Sequence, residues 1–234
     1  MTTTPRSQPV GGGAPPALAA IDLFRFFHAG DDETVALRGV TMTVVAGEIV
    51  AVMGPSGSGK STLLGCLGGL DEPDGGHVMV AGRRITRRPE AERAQIRCRT
   101  IGILQQSGNL LDHLSVLQNV ELAQALAGRT DHQSHATLLA EVGLAGRAHA
   151  RPSTLSGGEA ARAGLALALA NDPPVILADE PTGEVDAANE EIVLELLRSR
   201  ASSGAAIVIV THSPRVAERA DRVVQLADGR IVDA

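Results

Sequence analysis

Residues 18–53 alternate between apolar and polar positions in the manner of antiparallel strands with one buried face. The end of that stretch, Glu-Ile-Val-Ala-Val-Met at 48–53, is a short apolar run and reads as a buried strand. Glycine-rich residues follow, and a helix is expected from Lys60 to about Gly69, stopped by the turn composition Asp-Glu-Pro-Asp-Gly-Gly at 71–76. Residues 77–85 read as a hairpin. From Val116 to His149 apolar residues fall at 116, 117, 120, 122, 123 and 126, then at 138, 139 and 142, which is helical spacing. A further helix is expected from about Ala160 to Ala170. After Pro173 strands and helices alternate as in a parallel sheet, with a helix over 187–201 that Asp186 N-caps. The tail, 222–232, reads as a hairpin turning at Asp228-Gly229. The pattern predicts an α/β fold: a mixed, mainly parallel sheet with flanking helices, an N-terminal antiparallel β subdomain and a helical subdomain at about 107–170.

Residues 54–61 read Gly-Pro-Ser-Gly-Ser-Gly-Lys-Ser and fit G-x-x-x-x-G-K-[ST] at every fixed place. A buried strand precedes them and a helix follows, which is the context of a P-loop NTPase core. In such a loop the backbone N–H groups of Gly54, Pro55-Ser56-Gly57-Ser58, Gly59, Lys60, Ser61 and Thr62 (proline excepted) curl round a phosphate, and the helix N-terminus adds a positive dipole end. Lys60 is placed to reach the β- and γ-phosphates and the Ser61 hydroxyl to bind Mg²⁺. Lys60 is the chain's only lysine; every other basic residue is arginine. Lysine offers a compact charge on a thin stem where arginine offers a wide planar fork, so position 60 selects for the stem.

A second apolar run, Pro-Val-Ile-Leu-Ala at 174–178, ends in Asp179-Glu180. Carboxylates at the C-terminal end of a strand in such a sheet stand where α/β folds bind ligands. Asp179 is expected to hold Mg²⁺ directly or through water, and Glu180 to polarise the attacking water. Leu-Ser-Gly-Gly-Glu at 155–159 opens a helix with two glycines, a second anion cradle.

In this order the motifs resemble those of the ATP-binding subunits of ABC transporters, over about 21–232 of the chain. The resemblance implies a Q-loop at 101–111 with its glutamine at Gln106, near the γ-phosphate and Mg²⁺. It implies a D-loop at 181–186 ending in Asp186, a switch histidine at His212, and a signature at 155–159. Ser156, Gly157, Gly158 and Glu159 of one chain would cover the nucleotide held by another. Phe24, Phe26 and Phe27 are the only aromatics besides histidine. In an alternating strand Phe24 and Phe26 share a face and Phe27 takes the other, and the family places its adenine-stacking aromatic at Phe27. Ser61-Thr-Leu-Leu, Gly68-Gly-Leu-Asp, Pro73 and Asp179-Glu-Pro-Thr-Gly183 are similar to the lipoprotein-releasing, macrolide-exporter and cell-division group (the LolD, MacB and FtsE kinds).

Departures stand at Ala160 and Ala161, where the family is Arg/Gln-rich and only Arg162 is retained, and at Leu167 in place of a later arginine. Glu184-Val185 replaces Asn-Leu, and Gly108 replaces a common aromatic. None touches the phosphate chemistry; they imply altered packing near the signature and a slower ATPase.

The chain's length, 234 residues, fits one domain at 18–234 after a disordered Thr-, Pro- and Gly-rich lead at 1–17. The lead has no apolar core and is not a signal peptide. A net charge of −6 argues against a nucleic-acid partner. Arginines at 83, 84, 87, 88, 93, 97 and 99, interleaved with Glu90 and Glu92, read as a solvated helix face; a patch toward a membrane partner or anionic headgroups is the second reading. Cys66 and Cys98 lack metal-ligand spacing and demand no disulfide, and Cys66 reads as a small buried filler. No apolar run approaches the ~20 residues of a membrane span.

The expected protein is an ATPase using ATP and Mg²⁺, working as a dimer with a second ATP-binding subunit. It would sit on the cytoplasmic face of the membrane beside an integral permease of the FtsX or MacB type, driving export, lipoprotein release or mechanical signalling. A non-transport ABC ATPase and a slow, regulatory subunit are the alternatives.

Overall fold

The computed structural model describes residues 15–29, 32–129, 132–183 and 185–233; most of the expected lead falls outside them. Two sheets form the frame. The first is antiparallel, in the order β2-β1-β4-β5, from β1 (Leu18–Ala29), β2 (Asp32–Val44), β4 (Gly75–Val80) and β5 (Arg83–Arg84). The second has the order β10-β9-β3-β8-β7-β6, from β3 (Ile49–Met53), β6 (Ile101–Leu104), β7 (Val175–Asp179), β8 (Ala206–Val210), β9 (Arg222–Ala227) and β10 (Arg230–Asp233). Its strands run parallel except β10, which closes the expected tail hairpin. The last strand of the 18–53 stretch therefore leaves the antiparallel pattern: β3 is a central strand flanked by parallel β8 and β9. Its unbroken apolar run reflects burial on both faces.

Alternation along the central strands sends their side chains into two separate layers. Val50, Val52, Val175, Leu177, Val208 and Val210 join the core under the antiparallel sheet, with Leu63 and Leu67 of helix α1 (Lys60–Leu67). Ile49, Ile176, Ala178, Ile207 and Ile209 join the opposite core, under helices α5 (Gly157–Leu169) and α6 (Ala187–Ser202). The β1 alternation breaks at Asp22, whose φ is 53°, where the pairing shifts register so that Leu18, Ala20 and Leu23 all reach the core. Phe24 and Phe26 stack 6.5 Å apart on one side, as the alternation predicts.

The expected helical stretch 116–149 divides into α3 (Val116–Leu126), α4 (His132–Glu141) and a 3-10 turn at Ala145–Arg147. Together with α5 they make a helical layer around Val116, Val120, Leu139, Val142 and Leu165. Helix α5 starts earlier than the apolar spacing indicated. Ser156 and Glu159 form a reciprocal capping box, which draws Gly157 and Gly158 into the first turn. The expected arginine helix face is only partly found: Arg93, Arg97 and Arg99 lie on α2 (Glu90–Thr100), a helix with no buried residue, whereas Arg83 and Arg84 form β5 and Arg87 and Arg88 precede the Pro89 that starts the helix. Arg93 and Arg97 share Glu90, Arg88 pairs with Glu92, and Arg93 also pairs with Glu72, so these three arginines are paired. Cys66 is buried, and both cysteines are free.

Where β6 crosses α5 the backbones meet: a Cβ at Gly102 would lie 2.2 Å from the Ala168 carbonyl oxygen and 2.9 Å from Pro173. Gly102→Ala is therefore expected to lower stability by about 1–3 kcal/mol through overpacking, read as a fall in the urea midpoint.

Candidate nucleotide site

The C-terminal ends of three adjacent strands carry the candidate residues. In the ladder Val52 pairs with Val210, and Val210 pairs with Asp179. The residues that follow are the loop from Gly54, the pair Thr211-His212, and Glu180, so they emerge side by side at one sheet edge. Gly59 ends the loop with φ at 102° and N-caps α1; a Cβ there would sit 2.4 Å from the Ala36 carbonyl oxygen of β2. Lys60 Nζ donates to the carbonyls of Gly54 (2.7 Å) and Pro55 (2.9 Å), which holds its charge over the loop. The Ser58 hydroxyl is buried with no hydrogen-bond partner and lies against Gly54. An orphaned buried donor in a glycine-rich loop at a helix N-terminus suits an anion.

The Ser61 side chain lies near the Asp179 carboxylate and favours its charged form. Burial pushes the Asp179 carboxyl above its ordinary value; the Ser61 hydroxyl draws it down, the neighbouring Glu180 charge raises it, and Lys60 lowers it. Ser61 and Asp179 together fit a hard cation. Among the described residues no group of three or more His, Cys, Asp or Glu can hold a metal, so further oxygens would come from a phosphate ligand, the usual arrangement for Mg²⁺.

Glu180 adopts φ of 44°, a left-handed conformation uncommon for a residue with a side chain. Its amide donates to the Val210 carbonyl (2.9 Å), which keeps it at the strand edge. One carboxylate oxygen lies 2.7 Å from His212 Nδ1, and the other accepts from the Thr211 hydroxyl at 3.0 Å.

Gln106, Gly157, Glu180 and Gly183 line one cavity of about 210 Å³, shared with Ala160 and Ala161. Asn109 shapes the glutamine loop by exchanging two hydrogen bonds with the Gln105 backbone, at 2.8 and 2.7 Å. Ser156 and Gly157 are exposed at the start of α5. The Glu159 carboxylate caps that helix, accepting from the Ser156 amide at 2.8 Å, and pairs with Arg147 at 3.0 Å. The Ser156 amide first, and Arg147 after it, hold this carboxyl below its ordinary value. Asp186 N-caps α6 by accepting from the Asn189 amide, 2.9 Å, and its carboxylate also takes the Asn189 side-chain amide. Asn189 in turn accepts from Arg162 of α5, so the end of the 181–186 loop and the signature helix are tied within one chain. Phe27 pairs with Thr34, two residues before Ala36, which places it beside the loop's end. The Arg25 guanidinium covers the ring at 4.7 Å, and Asp74 fixes that arginine. Phe27 remains 42% exposed.

A protein-family model described as ABC transporter matches residues 37–183. The chain belongs to the ABC transporter family. An uncharacterised ABC transporter ATP-binding protein of Thermotoga maritima is 44% identical over 90% of this chain and 92% of its own length. The macrolide export ATP-binding/permease protein MacB of Hyphomonas neptunium is 42% identical over 93% of this chain. This chain spans 34% of that protein's length. A solved dimeric ATP-binding cassette, in a post-hydrolysis state with ADP and phosphate bound, superposes with a TM-score of 0.86 at 34% identity over 92% of this chain and 97% of its own. The chain is thus an ABC ATPase cassette, similar to the LolD/MacB-like group.

Several residues of this cassette's site carry no motif signal of their own. Asn109 and Asn189 act by bonding to backbone or to charged neighbours, and only the fold brings those partners close. Thr211 directly precedes His212, but only the structure shows where its hydroxyl points. Ala160 and Ala161 form part of the wall of the cavity beside Glu180.

A raised carboxyl binds its proton more tightly in the folded than in the unfolded chain. The stability Asp179 contributes is therefore present below the ordinary value, 3.8, and lost as pH rises through the higher folded value. Asp179→Asn is expected to melt at a higher temperature than the parent at neutral pH without divalent cation, with the gap closing toward the ordinary value. Melting curves across pH test this; an unchanged gap would count against a buried, raised carboxyl.

Proposed function

We propose that this cassette binds ATP·Mg²⁺ between two copies and uses hydrolysis to drive a membrane subunit from the cytoplasmic face. One observation carries the reading: Lys60, the neighbouring Ser61 and Asp179 side chains and the Glu180–His212 pair meet at one sheet edge. Residues 54–62 take the phosphates, with Lys60 on the β- and γ-oxygens. Ser61, Asp179 and Gln106 hold Mg²⁺, which when bound neutralises charge on the phosphates. Glu180 accepts a proton from the attacking water, and His212 turns from Glu180 to the γ-phosphate. Phe27 stacks on adenine. Ser156, Gly157 and Gly158, on an exposed helix start, close over the other copy's nucleotide, with Glu159 holding that helix start in shape. Asp186 relates the two sites through Asn189 and Arg162.

The membrane partner is a permease of the FtsX or MacB type, either a separate subunit or joined as in the MacB proteins. Its docking surface is an apolar groove of about 320 Å³ between α2, β6, α3 and α5. Leu111, Leu122 and Leu126 stand exposed along it, and Leu167 adds apolar surface where arginine is usual. Among the described residues no helix is long and apolar enough to cross a membrane, so the transport path belongs to that partner.

Three measurements test the reading. Saturating Mg-ATP is expected to shield Lys60 from amine acylation, read by mass spectrometry; equal labelling with and without nucleotide would reject the pocket. Glu180→Gln is expected to lose hydrolysis by about a hundredfold or more while ATP converts it to a dimer in light scattering. Leu126→Asp is expected to keep nucleotide binding and lose copurification with the membrane protein.

A further inference from the structure

The proposed base is held from two sides, and the two holders differ in kind. His212 is the exposed one: its side chain is 76% exposed, against 16% for Glu180. Thr211 is 1% exposed, and its amide is tied to the Val52 carbonyl of β3 at 3.1 Å. The Thr211 hydroxyl oxygen accepts from the Ser213 amide at 3.0 Å. That bond uses an oxygen lone pair and leaves the single hydroxyl proton to point at Glu180, whose second carboxylate oxygen is 3.0 Å away. Glu180 itself stands in a left-handed conformation, with φ at 44°, held by its amide bond to Val210. A strained backbone at a strand end does not by itself aim a carboxylate; a fixed donor does.

We propose that Thr211 is the positioning residue for Glu180: its hydroxyl fixes one carboxylate oxygen so that the other is presented to the attacking water when His212 swings to the γ-phosphate. His212 is a partner that can leave. Thr211, buried and bonded on three sides, is the partner that stays. The inference rests on Glu180 being the base, and the division of labour predicts that turnover depends on the hydroxyl and ATP affinity does not.

The test compares Thr211→Val, which keeps the volume and loses the hydroxyl, with Thr211→Ser, which keeps the hydroxyl and loses a methyl group. Thr211→Val is expected to lower kcat about tenfold or more, with KM for ATP changed by less than about twofold and the ATP-dependent dimer retained. Thr211→Ser is expected to restore kcat to near the parent value. A packing role would reverse the order, since valine fills the space better than serine. Thr211→Ala serves as the hydroxyl-free variant if Thr211→Val is not recovered folded, with unfolding midpoints recorded for each. A silent Thr211→Val beside an inactive Glu180→Gln overturns the Thr211 role alone, and so does a Thr211→Ser as impaired as Thr211→Val. Parental turnover by Glu180→Gln would remove the base assignment itself and the role built on it.

Discussion

The register of three parallel strands governs this molecule. Val52 of β3, Val210 of β8 and Asp179 of β7 lie in one row of the ladder. Because parallel strands all end at the same edge, that row delivers the phosphate loop, the Thr211-His212 pair and the two carboxylates to neighbouring positions. A slip of one residue in any of the three strands would turn its side chains to the opposite face. The two hydrophobic layers forbid such a slip: Val50, Val52, Val208 and Val210 are committed to one core, and Ile49, Ile207 and Ile209 to the other. The site is thus held in register by burial on both faces of the sheet, not by contacts among its own polar groups.

Those polar groups are in mutual tension. Asp179 is pushed toward its neutral form by burial and by Glu180, and only Ser61 and Lys60 favour its charge. Glu180 holds an uncommon backbone conformation. Ser58 keeps a buried hydroxyl without a partner. Each feature costs stability in the chain by itself.

The helical layer is joined to this edge by few but specific bonds. Arg162, Asn189 and Asp186 tie α5 to the start of α6, and Asn109 braces the glutamine loop beside α5. Ala160 and Ala161 form part of the wall of the cavity between them. The apolar groove lies on the same helical layer, with Asn109 in both its wall and that of the cavity.

The phosphate loop, the Asp179-Glu180 strand end and the tail hairpin were legible in the amino-acid order. Each depends on local chemistry: glycine where φ is positive, a continuous apolar run for a two-faced strand, and Asp-Gly for a tight turn. Helix starts at Ser115 and Ser156 depend on reciprocal bonds over three residues, and there the apolar period alone misplaced the beginning of α5. The parallel setting of β3, the bulge at Asp22, and the partners of Thr211, Asn109 and Asn189 were decided only by the tertiary structure. They join residues far apart in the chain, and no local propensity encodes which distant strand or side chain will meet. Local order specified the chemical groups of this cassette, and burial of the two-sided sheet determined where they meet.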